Sequence, residues 1–291
     1  MYQHTARPTA ASQERLALAA ELADRYPTQH CRELAVTGSV SRGVAVEESD
    51  LELSLWTETI PSPEERRQFL ARVGATDAIV DPSLGSKDVT WAMFTYQDVR
   101  VEAGWYTPAF HEHELAAIRA GEVTDDDRLL LPGVLVDAVP LRSDGLIARW
   151  RQELAHYPDS LQRRHISDAA NEWRFPGHLA ARWAEVRRGH RHTVLEEYAR
   201  DIHRTLRILF AVNRVWEIDW KWLERATRDL TIRPDRFVER IEGVFAAPRL
   251  AESLITCLEL IRDTLALAPP PHNVAQPTAN VLDSLRGNAG R

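Results

Sequence analysis

The chain of 291 residues is 44% hydrophobic and 27% charged, a composition typical of a soluble globular protein large enough for two domains. Its formal net charge of −7, without a dense basic run, argues against a nucleic-acid duplex as the main partner. No apolar run approaches the roughly 18 residues of a membrane span, no signal core is present, and Cys31 and Cys257 lack metal-ligand spacing, so we expect a cytoplasmic protein.

Short-range patterns predict the first helix and the first two strands. The segment "SQERLALAAELADRY" has apolar residues at helical spacing, with Ser12 as its N-cap. The segment "CRELAVTGS" predicts a short buried strand that ends in a Gly-Ser turn. In "DLELSLW" the residues alternate, so that the leucines share one face of a strand while Asp50, Glu52 and Ser54 share the other.

A helix, a hairpin and a second helix are predicted next. Ser62 begins a capping-box pattern, and Gly74 ends the helix that follows it. Strands around 89–96 and 99–106 form a β-hairpin. The segment "TPAFHEHELAAIRAG" has the cap, first-turn proline and final glycine of a helix. Its "HEHE" is not expected to bind a metal, because consecutive helical residues do not face one another.

The remaining chain is predominantly helical. A further strand is predicted over 134–139, and helical periodicity prevails from about residue 143. We therefore predict an α+β fold in which a mixed β-sheet with helices (residues 1–142) precedes an α-helical bundle (residues 143–268). The Pro-rich, polar residues 269–291 are predicted to form a loosely ordered tail.

The turn after the first strand and the charged face of the second carry candidate chemistry. The turn at Gly38 and Ser39 frees backbone N–H groups for phosphate oxygens, and Arg42 could bind the same anion. Asp50 and Glu52 can bring two carboxylates to one cation. Such hard oxygen ligands favour Mg²⁺, which proteins commonly hold together with substrate phosphates.

A third carboxylate is predicted on the second strand of the hairpin. Glu102 is flanked by Val101 and Ala103 and shares a face with Arg100 and Gly104. Three carboxylates could hold two metal ions, which stabilise the attacking and leaving oxygens of an in-line displacement. Glu102 could also accept the proton of an attacking hydroxyl.

The order of these residues, "GSVSRG…SDLEL" followed by an acidic residue on a later strand, resembles the signature of the DNA polymerase β-like nucleotidyltransferase superfamily. The two-part layout is similar to the aminoglycoside- and lincosamide-type members, in which a catalytic α/β domain precedes a helical domain. The motif covers about 20 residues, and the wider arrangement extends the resemblance to roughly the first 140 residues.

For the nucleotide, the resemblance implies that Gly38 and Ser39 bind the triphosphate of an NTP. Arg42 is a further phosphate contact in this interpretation, although a surface salt bridge is an equal alternative. Basic residues of the helical domain close over the nucleotide in some members, which makes Lys221 a candidate contact to the leaving pyrophosphate. Alternatively, Lys221 extends across the flanking tryptophans.

For the chemistry, the resemblance implies that Asp50, Glu52 and Glu102 hold two Mg²⁺ ions. The predicted activity is transfer of a nucleoside monophosphate, AMP from ATP, to a hydroxyl of a small molecule such as an aminoglycoside-like antibiotic, as in antibiotic resistance. One alternative is a protein- or RNA-modifying enzyme of the toxin–antitoxin type. Another is a catalytically weak nucleotide-binding regulatory protein, because position 52 is Glu where Asp is more frequent.

Overall fold

The computed structural model describes residues 7–27, 31–81, 87–123, 125–228, 230–269 and 275–288. The chain divides into two compact units. The first comprises the described residues up to Ile118 together with Glu122–His156, and the second comprises Arg119–Gly121 and the described residues from Tyr157 onward. The division thus falls after residue 156, whereas the sequence places it after residue 142.

The first unit is built on one β-sheet. Its strands are β1 (Glu33–Val36), β2 (Leu51–Trp56), β3 (Thr76–Val80), β4 (Val89–Tyr96), β5 (Val99–Tyr106) and β6 (Val139–Arg142). The helices from this part of the chain are α1 (Ala10–Arg25), α2 (Gly38–Ser41), α3 (Pro63–Val73), α4 (Pro108–Ala120), α5 (Asp126–Leu129), α6 (Leu131–Asp137) and α7 (Leu146–Leu154). The strand order is β3-β4-β5-β2-β1-β6, and β2 pairs with β5 in parallel while the other neighbours are antiparallel. The predicted α+β class with a mixed sheet is confirmed.

Local signals account for several of these elements. The hairpin of β4 and β5 has the predicted strands, and its two turn residues, Gln97 and Asp98, take the positive φ values (46° and 63°) that a tight two-residue turn requires. In α3, Ser62 and Glu65 form the predicted capping box. The N-cap of α1 is Thr9 rather than Ser12, because the Thr9 side chain accepts the Ser12 backbone N–H at 3.1 Å.

One face of the sheet packs against α1 and α3. The core on this side contains the β2 leucines, the β5 residues Val101, Ala103 and Trp105, and apolar residues of both helices. Each large apolar side chain buried there contributes about 1.5–3 kcal/mol. Because side chains alternate along a strand, this packing directs Glu52 and Glu102 to the opposite face of the sheet.

The prediction of a strand over 134–139 is wrong. Residues Leu131–Asp137 form α6, with Pro132 in its first turn, and the chain becomes extended only at β6, which pairs with β1. A short apolar run does not by itself distinguish a buried helix from a buried strand.

The second unit is helical, as predicted. Its helices are α8 (Asp159–Asn171), α9 (Pro176–Arg188), α10 (Arg191–Asn213), α11 (Leu223–Arg228), α12 (Phe237–Ala246), α13 (Leu250–Leu267) and α14 (Ala275–Asn288). Helix α14 lies where the sequence predicts an irregular tail. The long α10 packs against α8 and α13. No helix in the described parts of the chain combines the length and apolar character needed to cross a bilayer.

Candidate functional site

Two glutamates lie side by side on the sheet face opposite α1 and α3. Strands β2 and β5 run parallel, and their register pairs Glu52 directly with Glu102. Both residues are half-buried. Paired residues on neighbouring strands project to the same face, and adjacent strands are about 4.8 Å apart. The sheet therefore places the two glutamates on the same face, one strand spacing apart.

The turn at Gly38 adjoins this pair. Gly38 follows β1 with a φ of +67°, and a Cβ at this position would overlap the carboxylate of Glu52. The backbone N–H of Thr37 also donates to the Glu52 carbonyl at 3.0 Å. Glycine is thus required at residue 38 both by its left-handed backbone and by the side chain of Glu52.

The paired glutamates line a cavity of about 300 Å³. Its walls are formed by β2, β4 and β5 and by the residue that follows β1. The lining residues are Thr37, Glu52, Leu53, Ser54, Trp91, Ala92, Met93, Glu102, Ala103, Gly104 and Tyr106. Among these residues none is basic, so the glutamates give the cavity a negative charge.

Tyr106 covers one end of the cavity. A Cβ at Gly104 would lie 2.5 Å from the Tyr106 hydroxyl, so the phenol folds back over the glycine, two residues from Glu102. The Tyr106 ring lies 4.5 Å, centroid to centroid, from that of His111. Burial and the charge of Glu52 raise the pKa of Tyr106. The phenol therefore stays protonated near neutral pH and can donate a hydrogen bond in the cavity.

Asp50, also predicted to bind metal, forms an ion pair with Arg100, and its role as a ligand stays a prediction. Its Oδ2 lies 3.1 Å from a terminal nitrogen of Arg100, and 65% of the Arg100 side chain is exposed. Within the described ranges, no group of three or more His, Cys, Asp and Glu side chains is arranged to hold a metal ion. Carboxylate oxygens are the ligands that Mg²⁺ prefers, so Glu52 and Glu102 are the residues that would hold a single ion. A second ion would require Asp50 to leave Arg100.

Arg42 is buried in the structure. Its Nε donates to Asp137 Oδ2 at 2.8 Å, and the two side chains are only 6% and 3% exposed. A buried guanidinium needs such a partner, so this ion pair gives Arg42 a structural role near the Gly38 turn. The predicted phosphate contact at Arg42 stays a prediction.

The two other predicted nucleotide contacts differ in location. Ser39 is buried in α2, immediately after Gly38. Lys221 belongs to the second unit, where its ammonium lies 3.5 Å from Asp219 and 5.8 Å from the centroid of the Trp222 ring. The contact with Trp222 matches the alternative in which the lysine extends across aromatic surface. The roles of Ser39 and Lys221 in nucleotide binding stay predictions.

His111, the first histidine of "HEHE", is buried among aromatic side chains. The indole N–H of Trp56 donates to His111 Nδ1 at 2.6 Å, and the rings of Tyr106 and Trp150 pack around the imidazole. Burial lowers the pKa of His111 to about 3, so the ring is neutral. His111 thus supports the wall that carries Tyr106.

Sequence reasoning missed Tyr106, Trp91 and Met93 as cavity residues. Alternation along β5 places Tyr106 on the face of Glu102, a signal present in the sequence. The two-residue turn likewise fixes the hairpin register, which pairs Met93 with Glu102 and Trp91 with Gly104.

These features define an α+β protein with a carboxylate pair beside a glycine turn, in an acidic cavity on one face of a mixed sheet. The sequence profile of a family described as a domain of unknown function (DUF4037) matches residues 135–223, a segment that does not include the paired glutamates. Among solved structures, a nucleotidyltransferase-like protein from Exiguobacterium sibiricum 255-15, determined at 1.90 Å, is similar to this chain. That similarity has 12% identity and a TM-score of 0.40, over 97% of this chain and 89% of the other. No curated protein matches the chain.

Proposed function

We propose that the protein is a Mg²⁺-dependent nucleotidyltransferase, which transfers a nucleoside monophosphate, AMP from ATP, to a hydroxyl of a small molecule such as an aminoglycoside-like natural product. The observation that carries the proposal is the pairing of Glu52 with Glu102 beside the Gly38 turn. A carboxylate pair next to a glycine turn suits a metal-bound triphosphate, because the backbone N–H groups of such turns bind phosphate oxygens. The resemblance of "GSVSRG…SDLEL" to nucleotidyltransferase motifs supports the same assignment.

In this proposal Glu52 and Glu102 hold the cation, and Asp50 joins them after leaving Arg100. When bound, Mg²⁺ lowers the pKa of the acceptor hydroxyl and offsets charge on the phosphates. The turn at Gly38 and Ser39 orients the triphosphate. Arg42 and Lys221 remain candidate phosphate contacts.

Glu102 is the proposed base. The acceptor oxygen forms a bond to the α-phosphorus while the bond from the α-phosphorus to the bridging oxygen of the β-phosphate breaks. The hydroxyl proton passes to Glu102, and pyrophosphate leaves with the electron pair of the broken bond. Removal of a positioned base of this kind lowers turnover by about 10²–10⁴-fold.

A second candidate function is nucleotide binding without efficient transfer. It is favoured by one contact, the ion pair of Asp50 with Arg100, which occupies the third carboxylate. The glutamate at position 52 adds to this reasoning, because its side chain is longer than that of aspartate. Such a protein binds Mg²⁺ and ATP but releases little pyrophosphate.

The test is to incubate the purified chain with labelled ATP, Mg²⁺ and a panel of cationic natural products, and to measure pyrophosphate release and acceptor mass. We expect both signals to disappear with EDTA and to fall at least about a hundredfold in Glu102→Gln. Glu64→Gln is the matched control, since Glu64 is an exposed glutamate on α3. Binding of ATP without turnover supports the second candidate, and failure to bind ATP or Mg²⁺ contradicts both.

A further inference from the structure

An ordered row of side chains crosses four strands of the sheet. Ile79 on β3 pairs with Met93 on β4, Met93 pairs with Glu102 on β5, and Glu102 pairs with Glu52 on β2. All four therefore project to the same face. The row changes from apolar to acidic over three strand spacings, or about 14 Å.

The apolar end of this row has a large exposed surface. Ile79 is 55% exposed and Trp91 is 42% exposed, and Trp91 lies two residues before Met93 on the same face of β4. We call Ile79, Trp91 and Met93 the apolar shelf. Adjoining exposed apolar side chains at the edge of a cavity are typical of a binding site.

The position of Trp91 suits a ring-shaped ligand. Its partner across the hairpin is Gly104, over which the Tyr106 phenol folds, and the indole beside it is still 42% exposed. Trp91 and Met93 of the shelf, together with the Tyr106 phenol, line the same cavity as the glutamates, and Ile79 extends the apolar surface beyond it. A volume of about 300 Å³ is enough for a small ring compound.

The charge of the cavity selects among ring compounds. Glu52 and Glu102 line it, and none of its described lining residues is basic. The nearby Arg100 is paired with Asp50. An anionic ligand would be repelled by the glutamates, whereas a cation is attracted by them and by the face of an exposed tryptophan.

We propose that the apolar shelf binds the acceptor, and that the acceptor is a small cation with an aromatic ring. An aminoglycoside-like amine has no aromatic ring, so an aromatic cation replaces that example of an acceptor and leaves the proposed transfer chemistry unchanged. The ring packs on Trp91 and Met93, and the hydroxyl reaches Glu102 one strand away. Only the transfer step of this inference rests on the proposed function. Recognition of an aromatic cation by the shelf requires neither nucleotide nor metal.

Binding of three simple probes tests the proposal in buffer with EDTA and without nucleotide. Tyramine has an aromatic ring, a hydroxyl and a cation; 4-hydroxyphenylacetate replaces the cation with an anion; ethanolamine lacks the ring. We expect saturation-transfer NMR and calorimetry to detect tyramine at millimolar concentration, and the other two to bind about tenfold more weakly. Equal binding of the three probes, or no tyramine binding, would overturn the proposal.

Variants assign the binding to the shelf. Trp91→Ala should weaken tyramine binding about tenfold, while Trp91→Phe should retain most of it. Phe175→Ala is the matched control, since Phe175 is an aromatic residue of the second unit with 53% exposure. Ile79→Gln, at an exposed site, gives a second shelf variant if Trp91→Ala does not fold. Tyramine affinity unchanged in the shelf variants would also overturn the proposal. Shelf-dependent binding without ATP turnover would contradict the proposed function alone.

Discussion

The carboxylate of Glu52 lies against Gly38, in the space that a side chain at residue 38 would fill. This contact joins the turn after β1 to the carboxylate pair on β2 and β5, although Gly38 and Glu102 are 64 residues apart in the sequence. Three separate segments thus build one site. Because of this contact, adding a single methyl group at residue 38 would displace the Glu52 carboxylate.

Gly38→Ala should therefore reduce both stability and cation binding. A left-handed backbone costs an alanine about 1–2 kcal/mol, and the added Cβ must also displace Glu52. Gly74→Ala is the matched control, because Gly74 has a similar φ of +77° with nothing within 4 Å of the added Cβ. Urea unfolding should show the larger loss for Gly38→Ala. If the clash is the cause, adding Glu52→Ala should restore part of the difference, and an equal loss in the two glycine variants would contradict it.

Glu102→Gln should stabilise the metal-free protein. Like charges directly opposite one another on neighbouring strands repel, so replacing one glutamate should raise the free energy of unfolding by about 0.2–1 kcal/mol in EDTA. Mg²⁺ should raise the Tm of the wild-type protein, because a ligand that binds only the folded state stabilises it. The rise should be smaller in Glu102→Gln and unchanged in Glu64→Gln. An equal Mg²⁺ effect in all three proteins would show that the pair is not the cation site.

Arg100→Gln should increase the affinity for Mg²⁺. The change frees Asp50 and removes a positive charge, which together should strengthen binding by up to about tenfold at low salt. Its cost in stability should stay within about 1 kcal/mol, because the pair is partly exposed. Arg67→Gln, which removes the exposed partner of Glu64, is the control and should leave Mg²⁺ affinity unchanged. Calorimetric titration measures both, and unchanged affinity in Arg100→Gln would argue that Asp50 takes no part in cation binding.

Local patterns predicted much of the fold. The hairpin strands, the capping box of α3 and the strand β2 depend on residues close in sequence, and the structure has all three. The strand prediction for residues 134–139 was wrong because the apolar residues of this segment suit either a helix or a strand. The strand that does form, β6, pairs with β1, which lies about 100 residues earlier and is not indicated by any local pattern.

The candidate site was predictable only where it depends on local sequence patterns. Alternation placed Glu52 and Glu102 on polar faces of their strands, but the partners of charged groups lie far away in the sequence. Asp137 is 95 residues from Arg42, and Arg100 is 50 residues from Asp50. No local pattern indicates such pairs. Alternation along β4 likewise predicts the face on which Trp91 lies, but it does not predict whether another element covers that side chain.

His111 should make the fold sensitive to acid. Burial lowers its pKa to about 3, whereas an unfolded histidine titrates near 6.5, so below that pH the unfolded chain binds a proton that the folded chain does not. Stability is fully present above pH 6.5 and falls by about 1.4 kcal/mol per pH unit for this group as the pH decreases towards 3. His165, with its pKa lowered to about 4 by burial, adds to the slope.

Urea unfolding between pH 7 and pH 4 measures this slope, and His111→Gln should make it shallower. The same variant should lose about 1–3 kcal/mol at pH 7, because the Trp56 indole N–H loses the partner it has at 2.6 Å. His192→Gln, at an exposed histidine of α10, should leave the slope unchanged. A slope unaltered by His111→Gln would contradict the assignment of a neutral buried imidazole.

The ion pair of Arg42 with Asp137 should show strong coupling. Removing one partner deprives a buried charge of its ion-pair contact at 2.8 Å, so Arg42→Met and Asp137→Leu should each cost about 3–5 kcal/mol, whereas the double variant should recover most of that loss. The exposed pair Arg200 with Glu196 is the control, with coupling of about 0.5 kcal/mol or less. Weak coupling in denaturant unfolding would contradict a buried pair.

The double variant also separates the two roles of Arg42: it should bind ATP as the wild-type protein does if the residue only supports the fold, and about tenfold more weakly if its guanidinium also contacts phosphate.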